Sequence, residues 1–264
     1  MIIFLVVSFF ASVACLPIHH ETTTKDGRAG TRYFNLTQEE IRKINEAQND
    51  LIFTPQQKAA MRSRNMAFSA RFWTDGVVPF EIDPSFHSLP QAAEMLQFAI
   101  DQYAKYTCIK LRPRQPQDRN YLFFYSGQGC FSYFGMTGGE QEVSMSILCN
   151  NYPQVILHEI GHALGLIHEQ QRPDRDQYVE IYWKNILRSM ASNFDKVPLK
   201  QDRLFPYDYT SMMHYDAWAF SMNSGYAMVA KKPGITQKMG WYEGFSQSDI
   251  DRINYYYKCN EKKA

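Results

Sequence analysis

The sequence predicts an α+β domain with two unequal lobes. Three observations predict it. Strand-like runs surround one amphipathic helix in the first half of the chain. A second helix follows, carrying two histidines four residues apart. Beyond it, from Pro198 to Phe245, regular periodicity fades while Gly, Met, Tyr and Phe stay abundant, which fits an irregular lobe better than disorder. A length of 264 residues suits one large domain or two lobes sharing a cleft, and 45% hydrophobic with 15% aromatic residues can build its core. The formal charge is +1 with no long charged block, so nucleic acid and anionic membrane surfaces are excluded as main partners.

Met1 to Ala14 is almost wholly apolar and is followed by small residues near Cys15. The run is too short to span a bilayer comfortably, so residues 1–15 are expected to be a cleaved secretory leader, although no Lys or Arg precedes it. An uncleaved membrane anchor or a buried strand is the alternative. Export to an oxidising compartment would let Cys108, Cys130, Cys149 and Cys259 form two disulfides, for which sequence alone allows three pairings. Asn35-Leu36-Thr37 is an N-glycosylation acceptor if the chain is secreted. Residues 37–49 read as a short amphipathic helix with a Thr37 cap and an Ile41/Ile44 face. Arg62-Ser63-Arg64 offers a target to a trypsin-like or furin-like protease, which would leave Asn65 as a new N-terminus. The other reading of this stretch is a solvated basic helix end.

The expected domain runs from residue 65 to residue 264. Val77 to Ile82 is expected as a strand. Ser88 as N-cap and Pro90 at the first helical position then predict a helix with Ala93, Leu96, Ile100 and Tyr103 on its apolar face. Ile109–Leu111 and Tyr121–Tyr125 read as strands, separated by a Pro- and Arg-rich turn. A glycine-aromatic stretch, 127–139, leads to an exposed strand at Val143–Leu148. The histidine helix follows, with Asn151 as its cap and Pro153 in its first turn. Tyr178 to Trp183 has strand character and 184–195 is amphipathic. Ser246, three residues before Asp249, starts a last helix that ends at Cys259.

The chemistry concentrates in V-I-L-H-E-I-G-H-A-L-G-L-I-H-E-Q-Q-R-P-D-R-D, from Val155 to Asp176. A helix puts His158 and His162 on one face, one turn apart, where they can share a metal ion. Gly165 lets the helix stop, and His168 follows three residues later. Three imidazoles suit Zn²⁺ and leave a position open for water, whereas structural zinc sites fill all four positions. With Glu159 beside the first histidine, the arrangement is hydrolytic in character. Ser211-Met212-Met213-His214-Tyr215 is a second motif downstream.

On these residues the sequence resembles the astacin family of zinc metallopeptidases, within the metzincins. The resemblance covers roughly residues 65 to 259. His158, Glu159, His162, Gly165, His168 and Glu169 match the extended zinc motif, and Gln170, Arg172, Asp174, Arg175 and Asp176 its continuation. Ser211, Met213, His214 and Tyr215 match the Met-turn, and Gly129 to Gln141 looks like the family's glycine-aromatic stretch. Met136 there replaces a basic residue common in the family.

The resemblance implies a two-lobed catalytic domain with a mixed sheet, and one zinc per chain on His158, His162 and His168. Tyr215 would be a displaceable fourth ligand and donor to the transition state, Met213 a floor beneath the metal, and Glu159 the general base. It implies disulfides Cys108–Cys259 and Cys130–Cys149, and Val143–Leu148 as the edge strand that aligns substrate. Glu169 would meet the ammonium freed at Asn65. Asn49-Asp50-Leu51 resembles the family's inhibitory segment, with Asp50 on the zinc of the precursor, though Asn49 replaces the usual glycine. The expected protein is a secreted, monomeric endopeptidase precursor, with protein substrates and an activating trypsin-like protease as partners. A secreted binding protein or toxin that keeps the fold without turnover is the alternative.

Overall fold

The computed structural model describes residues 50–63, 69–147, 153–199, 204–223, 225–240 and 244–261. The leader, Asn35, the helix expected over 37–49, Arg64, Asn65, Cys149 and Asn151 lie outside the described residues. Six strands form the main sheet: β1 (Leu51–Ile52), β2 (Val77–Ile82), β3 (Lys110–Pro113), β4 (Tyr121–Ser126), β5 (Phe131–Tyr133) and β6 (Glu140–Met145). Their order is β1-β5-β6-β4-β2-β3, with β3, β2, β4 and β6 mutually parallel and β5 antiparallel to β6. Parallel strands are covered on their faces and so read as nearly continuous apolar runs, as in V-V-P-F-E-I and Y-L-F-F-Y.

Two helices cover one face of the sheet. Helix α2 (Ala92–Tyr106) buries Ala92, Met95, Leu96, Ala99 and Tyr103, a face that shares Leu96 and Tyr103 with the expected one and leaves Ala93 exposed. Gln91, in a left-handed conformation at φ 57°, is its N-cap, while Ser88 ends a short 3₁₀ turn and donates its hydroxyl to the Ser85 carbonyl. The expected cap at Ser88 is therefore displaced by three residues. Helix α3 (Pro153–Ala163) carries the histidine motif. It packs on α2, where the Tyr103 hydroxyl donates to the Leu157 carbonyl at 2.8 Å. Val78, Phe80, Leu122, Phe124, Val143 and Met145 from the strands join Leu157 and Ile160 of α3 in one continuous core.

Two expectations change here. Val143–Leu148 is not an edge: β6 ends at Met145 and lies between β5 and β4. The glycine-aromatic stretch supplies the short strand β5, which pairs with β6 on the side away from β4. Beyond β5, the segment before the domain adds β1, with Leu51 opposite Ser132 and Ile52 opposite Tyr133 in parallel register. Helix α1 (Pro55–Arg62) follows, started by a capping box between Thr54 and Gln57. Gln57 also donates to the Phe134 carbonyl at 2.7 Å, fastening α1 to the end of β5.

After the motif the chain is mostly turns. A two-stranded antiparallel pair, β7 (Val179–Ile181) and β8 (Met228–Ala230), anchors a second core around Phe194, Tyr207, Tyr215, Ala217 and Met239. Helix α4 (Gln247–Tyr256) starts at the expected Ser246–Asp249 capping box. Among the described residues no helix is long and apolar enough to cross a membrane. Cys108 is bonded to Cys259, 151 residues away, and ties the end of α4 to the start of β3. Cys130 is also disulfide-bonded.

Closing so long a loop restrains the unfolded chain strongly. The double variant Cys108→Ser/Cys259→Ser should lose about 2–5 kcal/mol of stability in denaturant titration under oxidising conditions. An unchanged midpoint would show that this crosslink does not restrain the unfolded chain.

Candidate metal centre

Helix α3 must end sharply for His168 to return towards His158 and His162. Gly165 allows this with φ +97°, and a Cβ there would lie 2.6 Å from the Ala70 Cβ. The turn then places His168 beside the helix, with 3.2 Å between the Nε2 atoms of His162 and His168. The ligand atoms of Asp50, His158, His162 and His168 all lie within 4.8 Å of one another, so this group can hold a metal ion.

The other side of each ring fixes its tautomer. His158 Nδ1 donates to the Met212 carbonyl at 2.7 Å and His162 Nδ1 to the Leu166 carbonyl at 2.9 Å. His168 Nδ1 faces the Gln171 Oε1 at 3.0 Å. Held in this way by Nδ1, each ring turns its Nε2 towards the common centre, where a metal ion would take it. Burial, followed by the charges of His158 and His168, holds His162 well below the ordinary histidine range and hence neutral. Nε2 of His158 and Oε2 of Glu159 are buried without a hydrogen-bond partner. A buried lone pair without a donor is costly, and a cation among these nitrogens removes that cost. Three imidazoles with one oxygen donor are a zinc-like set.

Asp50 enters the centre from β1. Its Oδ2 lies 3.0 Å from His168 Nε2 and 3.4 Å from His158 Nε2, and its Oδ1 accepts from the Tyr215 hydroxyl at 2.8 Å. Burial alone would raise the Asp50 carboxyl, but His168 and His158 outweigh it and hold the group well below the usual carboxylate range. Burial and then the Asp50 charge push the Glu159 carboxyl well above its ordinary value. The Tyr215 ring stands 4.4 Å from that of His168, packed edge-on against Phe220.

The Met-turn passes beneath α3. A Cβ on Gly161 would come within 2.8 Å of the Met212 methyl carbon and 2.9 Å of the Met213 sulfur, so the missing side chain lets the turn approach. Asp249 fastens this turn to α4: it accepts from the Ser211 hydroxyl at 2.6 Å and the Met212 amide at 3.0 Å. The capping box was legible in the sequence, but this second use of Asp249 was not.

Glu169 is fully buried. It accepts from Arg172 at 2.9 Å, from Arg252 at 2.8 Å and from the Asp208 amide at 2.8 Å. Arg252 and Gln171 escaped the sequence reading because neither belongs to the histidine spacing. Arg64 and Asn65, the expected activation site, lie outside the described residues.

A family model described as Astacin, a family of peptidases, matches residues 65–258. The chain is similar to zinc metalloproteinase nas-6 of Caenorhabditis elegans, 40% identical over 193 residues, covering 72% of this chain and 55% of the relative. It is likewise similar to zinc metalloproteinase nas-7 of the same organism, 36% identical over 226 residues, covering 85% and 57%. The chain thus spans about half the length of the curated relatives it matches. Among solved structures it is similar to high choriolytic enzyme 1, a hatching enzyme zinc-protease from the medaka Oryzias latipes. That match has a TM-score of 0.66 and 34% identity, covering 76% of this chain and 99% of the other.

The Glu169 cluster carries its own prediction. Arg172 also pairs with Asp174, but Glu169→Gln removes the buried anion that faces Arg252, and it should destabilise the metal-free protein by about 3–5 kcal/mol in chemical denaturation. A loss no larger than that of a surface substitution would contradict the ion cluster.

Proposed function

We propose, from the fact that this chain belongs to the astacin family of peptidases, that it is a secreted zinc endopeptidase made as a latent precursor. One observation carries the reading: the ligand atoms of His158, His162 and His168 converge on a common centre, with the Glu159 carboxyl buried beside the first of them. His158, His162 and His168 would hold the zinc. The ion supplies a Lewis acid that makes water a nucleophile near neutral pH.

The chain's own residues do the rest. Glu159, whose carboxyl has a raised proton affinity, takes the proton of the attacking water and passes it to the leaving amine. The Tyr215 hydroxyl donates to the oxyanion that develops on the scissile carbonyl, a bond it gives to Asp50 in the precursor. Met213, buried under the histidines, keeps the floor of the site dry. Substrates are internal bonds of extended protein segments, aligned along β5 once β1 has left that edge.

Latency rests on Asp50, which occupies the place where water must sit. The supporting contacts are those to His168, His158 and Tyr215. Residues 16–64 form the pro-segment after a leader of residues 1–15, and cleavage after Arg64 by a trypsin-like protease frees the catalytic domain, 65–264. The new ammonium at Asn65 would then reach Glu169, joining Arg172 and Arg252 on its carboxylate. The active form is a monomer, with a second disulfide from Cys130 to Cys149.

Two measurements test this. Glu159→Gln should keep zinc but lose about 10²–10⁴-fold in kcat on casein or gelatin, and a chelator should abolish activity reversibly. Activity indifferent to both would remove the peptidase mechanism. In the uncut precursor, Asp50→Ala should raise peptidase activity and open the site to chelator. No gain in either would refute latency through Asp50.

A further inference from the structure

Two of the three histidines are held from behind by backbone carbonyls, which no substitution at the acceptor residue removes. The third is held by a side chain. His168 Nδ1 meets Gln171 Oε1 at 3.0 Å, and the same amide donates its Nε2 to the Asn193 carbonyl at 3.1 Å. A carbonyl only accepts, so Asn193 fixes which end of the Gln171 amide carries the hydrogens. The oxygen is thereby committed to His168. Both side chains are buried, His168 at 1% and Gln171 at 6% exposure, so water cannot replace the acceptor freely.

We infer that Gln171 is a positioning residue for the third metal ligand: it sets the His168 tautomer and ring angle, and hence metal affinity. The inference rests on the zinc-centre reading above. His168 is also the imidazole on which the other groups of the site converge, since Asp50 lies 3.0 Å from its Nε2 and the Tyr215 ring lies beside it at 4.4 Å. The Gln171 backbone carbonyl accepts from the Val197 amide at 2.8 Å. Val197 packs in the same small cluster as Leu51, Ala60 and Met61 of the N-terminal segment. The acceptor for His168 is thus built into the surface on which that segment rests.

The test is zinc affinity of the full chain by competition with a chelator, with Co²⁺ as spectroscopic probe. Gln171→Leu, which removes the acceptor, should weaken zinc binding by about 10–100-fold and move the Co²⁺ absorption bands. Gln171→Glu keeps an acceptor for His168 but loses the donor to Asn193. It should keep wild-type affinity or exceed it, with shifted Co²⁺ bands, because a carboxylate makes the imidazole a stronger ligand. Unchanged affinity in Gln171→Leu overturns the inference. So does an equal loss in both variants, which would assign the effect to the Asn193 contact. Should Gln171→Leu not fold, Gln171→Glu decides alone: retained affinity with moved Co²⁺ bands supports the inference, and lost affinity overturns it. A wild-type chain that binds no zinc would instead bring down the metal-centre reading itself.

Discussion

Each buried imidazole that offers one nitrogen to a metal must satisfy the other, and this requirement organises the second half of the chain. Helix α3 cannot meet it alone, because its own carbonyls are engaged in helical bonds. The acceptors are therefore brought from outside: Met212 from the Met-turn, Leu166 from the turn after Gly165, and Gln171 from the turn after His168. The glycine at 165 and the side-chain-free face at Gly161 follow from the same need, since each lets a backbone approach that a Cβ would block. The irregular second lobe contributes one of these acceptors, Met212, through the Met-turn.

What could be read beforehand divides along this line. The histidine motif, the strand at Val77–Ile82 and the Ser246–Asp249 cap are local patterns, with spacing that follows from the geometry of one element. Interactions between distant segments left no such trace. Nothing in Leu51-Ile52 declares a strand, because two residues carry no periodicity, and the pairing with β5 joins segments far apart in the chain. The same applies to β6, whose alternation describes its faces and says nothing of its neighbours. The start of α2 moved to Ala92 because Gln91 adopts a left-handed cap that composition alone does not favour. Gln171 and Arg252 are ordinary polar residues whose role comes wholly from what folding places beside them.

Two systems of charge sit close together with different characters. Around the metal centre, burial keeps His162 neutral and three ring nitrogens face one another across a space that a cation can fill. Around Glu169, Arg172 and Arg252 share its carboxylate while Arg172 also pairs with Asp174, with the Tyr207 and Phe205 rings 5.5 Å from Arg172 and Arg252. The first is poised to accept a ligand and the second is already satisfied.

Helix α4 has a consequence in time. Its Asp249 holds the Met-turn that supplies the acceptor for His158, its Arg252 neutralises Glu169, and Cys259 just beyond it closes the crosslink to Cys108. A ribosome adding about 5–20 residues per second makes His158 several seconds before Asp249. Through that interval the metal-binding helix exists without its clamp. The centre is therefore completed only once α4 has been made, and a nascent chain cut short before α4 would carry every histidine ligand and still lack the clamp on the Met-turn.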